Sequence, residues 1–354
     1  MIKEVKVAFM RRQTLIDGGI MKKIKIILFS AIMVFVCSNT VLANEMIKIT
    51  NNDAVRIINN NGLNITESAY KKLQFYGFTD TEILNLDLEA YNTINEINAD
   101  MFSKEEKYYK DTYVYKSLED YNNKNKPTRV VTEEITQEEY SNLSTTDLIN
   151  HNGSTYETSA RKLVLVISYF SDKPTEKNIS LQTTFKTIPS VRSYDIIAMR
   201  VTNGEITSNS QSINTEMTYK VPTAACDGIY TTQTSTATAT HTSNGWNKKN
   251  FTLGYYGIGF TGLLPNDYIN CYNDLSFPFY QTLTGYKITM FAKARSIGNT
   301  ITAYGTYQHA TSNVNFSDVV RSYDFTSSGL GGVVSFTNGM ASRYDGGGGT
   351  SLTY

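Results

Sequence analysis

From Ala160 onward the chain is written in the language of strands, and this constrains its fold more than any other feature. RKLVLVISYF (161–170) is β-branched and apolar on both faces, as a strand at the centre of a sheet is, and EKNISLQTTFKTIP (176–189) alternates after the turn SDKP. Further strand-like runs follow: VRSYDIIAMRV, INTEMTYKV, IYTTQTSTATATHT, NFTLGYYGIGF, YKITMFAKA, NTITAYGTYQHA, VVRSYDF and GGVVSFT. Turn dipeptides such as Asn203-Gly204, Asn244-Gly245 and Asn338-Gly339 punctuate them. About ten strands without long intervening helices imply an antiparallel β-sandwich over 161–354, not an α/β fold.

The sequence before Ala160 reads differently. Residues 44–100 carry helical patterning: Thr66 caps a run that puts Ala69, Leu73 and Tyr76 on one face and stops at Gly77. Thr79 and Glu82 form a capping box for a second short helix, and Asp87 begins a third. Residues 101–160 read as a charged, mixed connector with an extended piece at Tyr108 to Tyr115, a strand-like RVVTEEI and a helical signal at Gln137 to Asn142. The expected class is therefore mainly β, with a small helical N-terminal region, α+β overall.

The start of the chain carries an address. MKKIKIILFSAIMVFVCSNTVLANE, from Met21, has a basic n-region, an apolar run from Ile26 to Val36 and a small-residue end at Ala43. That is a secretory signal peptide over 21–43, and the apolar run is too short to span a bilayer, which takes about 20 residues. Residues 1–20 have no targeting logic of their own, so translation is expected to begin at Met21. Val36 before Cys37 argues against a lipid anchor, and no sortase-type tail is seen at Tyr354. The reading is export, with free secretion or non-covalent association with the cell wall, and no stable membrane anchor after cleavage.

Charge follows from that cut. The full chain holds 33 basic and 33 acidic residues; seven bases and two acids fall in 1–43, so the remainder has 26 against 31, a net −5. A mildly acidic protein is a poor partner for nucleic acid, whose binding depends on Lys and Arg neutralising phosphates. Cys226 and Cys271 survive the cut. In an exported chain they make a disulfide possible, while two separate buried thiols stay open as the alternative. Three dispersed histidines, His151, His241 and His309, make no metal cluster, and no cofactor motif is present.

Catalytic signatures are missing too. No GxSxG elbow, HExxH helix or Cys/His pair is visible, and the glycine clusters lie between strands, where no phosphate loop can meet a helix N-terminus. No catalytic residue is assigned. A glycosidase, whose two carboxylates meet only in space, stays open as the rival enzyme reading. The pentapeptide VRSYD occurs at Val191 to Asp195 and again at Val320 to Asp324. On strands, both copies would stack Arg on Tyr, and the differing flanks argue against a duplicated domain.

TTQTSTATATHTSNGW is the most unusual stretch. Thr232, Thr234, Thr236, Thr238 and Thr240 recur with period two, and one hydroxyl-studded strand face results. With Trp246 in the following turn, these are the candidate binding residues, and cell-wall glycan or another extracellular surface is the candidate partner. A membrane-inserting β-hairpin, as in β-pore formers, is the third reading, weakened by threonines where an apolar band belongs.

At TAYGTYQHATSNVNFSDVVRSYDFTSSGLGGVVSF and TIPSVRSYDIIAMR the chain resembles a group of secreted, β-rich proteins of Gram-positive bacteria that carry no assigned activity. The likeness covers much of 60–354. It implies export and a bacterial source, and it adds no catalytic residue. The expectation is a secreted, non-catalytic binding protein.

Overall fold

The computed structural model describes residues 47–354, apart from 52–53, 76–79, 87, 89–90, 93–98, 100, 144–147, 152, 224–225, 241–249, 255, 274–275, 325–333, 337–338 and 346. The chain divides into two compact units, Met1–Ile49 and Thr50–Tyr354. Of the first, only 47–49, the start of the strand Ile47–Asn51, is described. The signal peptide and the upstream start therefore lie outside the described residues.

The second unit is a β-sandwich built from antiparallel strands. Its larger sheet runs, in spatial order, Tyr230–Thr240, Ser212–Pro222, Pro278–Ser296, Glu176–Thr187, Ser154–Tyr169, Met101–Tyr115 and Arg129–Ile135. Tyr268–Tyr272 and Gly204–Ile206 pair separately with Pro278–Ser296. The smaller sheet runs Phe251–Leu253, Gly257–Leu263, Tyr194–Thr202, Thr302–Gln308 and Gly348–Thr353. Leu163, Leu165, Leu181, Ile288 and Met290 of the larger sheet pack with Ile197, Met199, Val201, Ile258 and Phe260 of the smaller one in a single core. Each such side chain, fully buried, contributes roughly 1.5–3 kcal/mol. Gly305 lets the sheets close: a Cβ there would stand 2.5 Å from Leu181 Cδ1.

The smaller sheet is covered on its second face as well. Ile196 and Ala198 pack there with Ala310, Val314, Val319, Met340 and Tyr344 from the C-terminal part of the chain. That explains why IIAM is apolar without alternation: both faces of the strand are buried.

Residues 101–160 do more than connect. Met101–Tyr115 pairs along its whole length with Ser154–Tyr169, a central strand of the larger sheet, and on its other side with Arg129–Ile135. The extended and strand-like signals were present, but the many charged residues masked a sheet whose outward face is solvated. Gln137–Asn142 is helical, with a reciprocal capping box between Thr136 and Glu139. The Thr66 hydroxyl accepts from the Ala69 N–H at 3.2 Å, capping the helix Glu67–Phe75, which buries Ala69 and Leu73. Tyr76, Gly77 and Thr79 lie outside the described residues.

The VRSYD echo corrects the sequence reading. Only Tyr194 and Asp195 of the first copy are in a strand; in the second, the helix Phe316–Ser322 takes in Val320, Arg321 and Ser322. Arg192 does not stack on Tyr194. It donates to Pro189 O, Pro265 O and Asp267, while the Tyr194 ring lies 5.3 Å from that of Phe316. One pentapeptide takes two backbones because its partners, not its own propensity, decide. No described helix is long and apolar enough to cross a membrane.

Candidate functional site

The open surface lies at one end of the larger sheet and arises from strand length. Pro278–Ser296 has 19 residues, of which Tyr286 to Arg295 pair with Glu176–Thr187 in the body of the sandwich. Its first residues outrun that partner and fold against Tyr268–Tyr272 instead, with Ile269 opposite Tyr280 and Tyr272 opposite Pro278. Side chains on a strand alternate between faces. Phe279, Gln281 and Leu283 thus turn to the inner side, where Leu283 is buried in the core, and Pro278, Tyr280, Thr282 and Thr284 turn outward.

Several contacts fix this hairpin. Cys271 is joined to Cys226 by a disulfide, Cα to Cα 6.3 Å, which ties it to the loop before the threonine strand. Asp267, at its base, takes an ion pair from Arg192 and accepts the Leu283 N–H at 2.9 Å. In the disulfide-tied loop the Thr223 hydroxyl and the Ile229 N–H both donate to Asp227, and these bonds hold its carboxyl below the usual range. The hairpin turn is closed by Phe277 N–H to Asn273 Oδ1 at 2.9 Å and Asn273 N–H to Phe277 O at 3.1 Å.

Register places the threonine strand on the same outward face. Thr232 stands opposite Lys220, and Lys220 opposite Thr282; Thr234 stands opposite Thr218, their hydroxyls 3.3 Å apart. The exposed Thr232, Lys220 and Thr284 thus continue directly into Tyr280, Ile269, Tyr272 and Pro278, which are also exposed. Phe277 at the hairpin turn and Ile229 and Tyr230 beside the disulfide complete the patch. Farther along the sheet the same face closes: Asn214, Gln182 and Thr289 are buried. The backbone of Thr236, Thr238 and Thr240 stands opposite Glu216, Asn214 and Ser212. The helix Asp80–Asn85 packs against this strand. The side chains of Thr236, Thr238 and Thr240, and all of Trp246, lie outside the described residues.

Against this geometry, no protein-family model and no curated protein matches the chain. Among solved structures it is similar to the collagen-binding domain of Erysipelothrix rhusiopathiae surface protein RspB, at 7% identity and TM-score 0.21, covering 58% of this chain and 71% of that one. It is also similar to a pore-forming protein, at 9% identity and TM-score 0.22, covering 59% and 89%. Neither likeness bears on what this chain binds.

The acids that sequence could not bring together do converge, but in the core. Arg161 Nη1 lies 2.8 Å from Asp111 Oδ2 and 2.6 Å from Asp345 Oδ2, and all three side chains are buried. His309 Nδ1 lies 3.0 Å from Asp195 Oδ2, which also accepts the Tyr307 hydroxyl at 2.7 Å; Asp195 Oδ1 accepts the Ala310 N–H. A histidine held by a carboxylate beside a phenol has the ingredients of acid–base chemistry. Arg161 and His309 are 0% exposed, however, so no substrate atom reaches them in this state. Burial lowers the His309 pKa, but the charge of Asp195 and its hydrogen bond outweigh that and leave it raised. The cluster ties strands of the two sheets to the C-terminal segment.

The sequence reading named Thr232 and Thr234 and passed over the tyrosine-rich hairpin that the register sets beside them. The signal was there, in YINCYND and FPFYQ flanking a turn, yet the abundance of tyrosine across the chain hid it.

Proposed function

We propose that this chain is an exported, non-catalytic protein that binds an extracellular surface through the open end of its larger sheet. The observation that supports the reading is the continuous outward patch of Thr232, Lys220, Thr284, Tyr280, Ile269 and Tyr272, held rigid by the Cys226–Cys271 disulfide. Preformed aromatic platforms lose little entropy on binding, because tyrosine has few rotors and presents both an apolar ring and a polar tip. The cell wall and the membrane are the surfaces such a protein meets on export.

The test is sedimentation of chain recovered from the medium with intact cells, purified peptidoglycan and phospholipid vesicles. Wild type is expected to pellet with at least one of them, and Tyr272→Ala with Tyr280→Ala to lower the bound fraction about tenfold or more. Release of reducing sugars, abolished by one carboxylate substitution, would replace this reading with a hydrolase.

A further inference from the structure

We infer that two copies of this chain pair edge to edge through the threonine strand Tyr230–Thr240, antiparallel about a twofold axis at Gln233, so that their larger sheets run on into one. The partner is a second copy, whatever the outward patch binds.

The edges of the sandwich carry the argument. A strand at the end of a sheet presents unpaired N–H and C=O groups, and soluble proteins blunt such edges with charge, shortness or a cover. Among the described residues, three of the four strands that end the two sheets are blunted in these ways. Arg129–Ile135, at the far side of the larger sheet, carries Arg129, Glu133 and Glu134. Phe251–Leu253 has only three residues. Gly348–Thr353 is covered by Tyr109 of the opposite sheet, whose hydroxyl donates to Gly349 O and accepts the Gly349 N–H at 3.2 Å.

The threonine strand has none of these guards. It runs for eleven residues without a charge, a proline or a glycine, and it pairs on one side only, with Ser212–Pro222. Thr231, Thr232, Gln233 and Ser235 are exposed and Thr234 is half-buried, so this stretch is open on both faces. The helix Asp80–Asn85 packs against the same strand and leaves that exposure in place.

The occupant follows from the side-chain pattern. An axis at Gln233 sets Gln233 opposite Gln233, Thr232 opposite Thr234 and Thr231 opposite Ser235. Each rung then joins amide to amide or hydroxyl to hydroxyl, and every one of these groups both donates and accepts. The sheet already contains such a rung, for Thr234 faces Thr218 with their hydroxyls 3.3 Å apart. Like charges directly opposite one another oppose self-pairing, and this strand has none to set there. The strand is formed before its partner arrives, so little ordering cost opposes association. Because the contact is one strand wide, the pair is small and reversible. Opposite residues of an antiparallel pair project to the same face, so both copies turn Thr232, Lys220 and Tyr280 to one side.

Sedimentation velocity of chain recovered from the medium, with no lipid or glycan present, tests this from about 1 to about 500 µM. Wild type is expected to pass reversibly from monomer to dimer over that range. Gln233→Lys sets two ammonium groups against each other at the axis, and Gln233→Glu two carboxylates. Each variant alone is expected to raise the dimer dissociation constant about fivefold or more, with the far-UV spectrum unchanged. An equimolar mixture of the two pairs Lys with Glu and is expected to return to the wild-type constant or below it. Wild type that stays monomeric at the top of the range overturns the inference. So does undiminished dimerisation of either variant, or a mixture no tighter than its components. Dimerisation by a chain that pellets with neither cells, peptidoglycan nor vesicles removes the surface-binding reading and leaves this one standing.

Discussion

At the scale of single residues, Arg161 is the most exposed to test because it is the least exposed to water. Its guanidinium lies within ion-pair distance of Asp111 and Asp345, all in the core between the sheets. A buried ion pair adds little net stability over apolar packing, but removing one partner strands the other. Arg161→Met is therefore expected to lose roughly 3–5 kcal/mol in urea unfolding. Replacing Asp111 and Asp345 with Asn in the same chain should recover much of that loss. The sequence showed the charges and not the cluster: Arg161 sits in a strand-like run and Asp345 among glycines, 184 residues away. Likewise, the echo drew attention to Asp195, yet its task is set by His309, Tyr307 and Ala310, which no local pattern connects to it.

At the scale of elements, strands were legible because the period-two pattern and β-branched composition act locally. The mainly β, antiparallel class follows from that local signal. The aromatic hairpin was not legible, for a physical reason: whether a tyrosine on a strand is exposed depends on where the neighbouring strand ends. Tyr286 is buried in the strand whose Tyr280 lies open. The disulfide is what makes this overhang an element and not a fraying end. It closes a loop of 45 residues, including the threonine strand and the strands Phe251–Leu253 and Gly257–Leu263. Cys226→Ser with Cys271→Ser is expected to lose about 4 kcal/mol on the loop-entropy model. Urea midpoints of wild type should fall to the variant's value on reduction, and the variant's should not move.

At the scale of the whole molecule, the buried charges give stability a definite pH dependence. Asp111, pushed up to about 6 by burial against the lowering charge of Arg161, holds its proton more tightly folded than unfolded. Glu157, raised by burial despite bonds from Ser190 and Tyr115, does the same, and so does His309, raised by Asp195. A fold that binds more protons than its unfolded chain loses stability as pH rises. The stabilising charge on His309 is complete below its unfolded value, about 6.5, and is lost as pH climbs through the higher folded value. The opposite slope appears only in stronger acid. There Glu106, which burial would raise but which bonds from Lys104 and Tyr108 hold low, must be protonated. The stability maximum is therefore expected at about pH 4–5, with a decline as Asp111 is made to ionise up to about pH 6 and a further one toward about pH 8 as His309 loses its charge. Urea unfolding across that range is the measurement, and His309→Gln supplies the assignment. Its deficit relative to wild type should be largest at the acid end and shrink as pH rises. A deficit that stays constant would mean that His309 packs in the core without carrying charge.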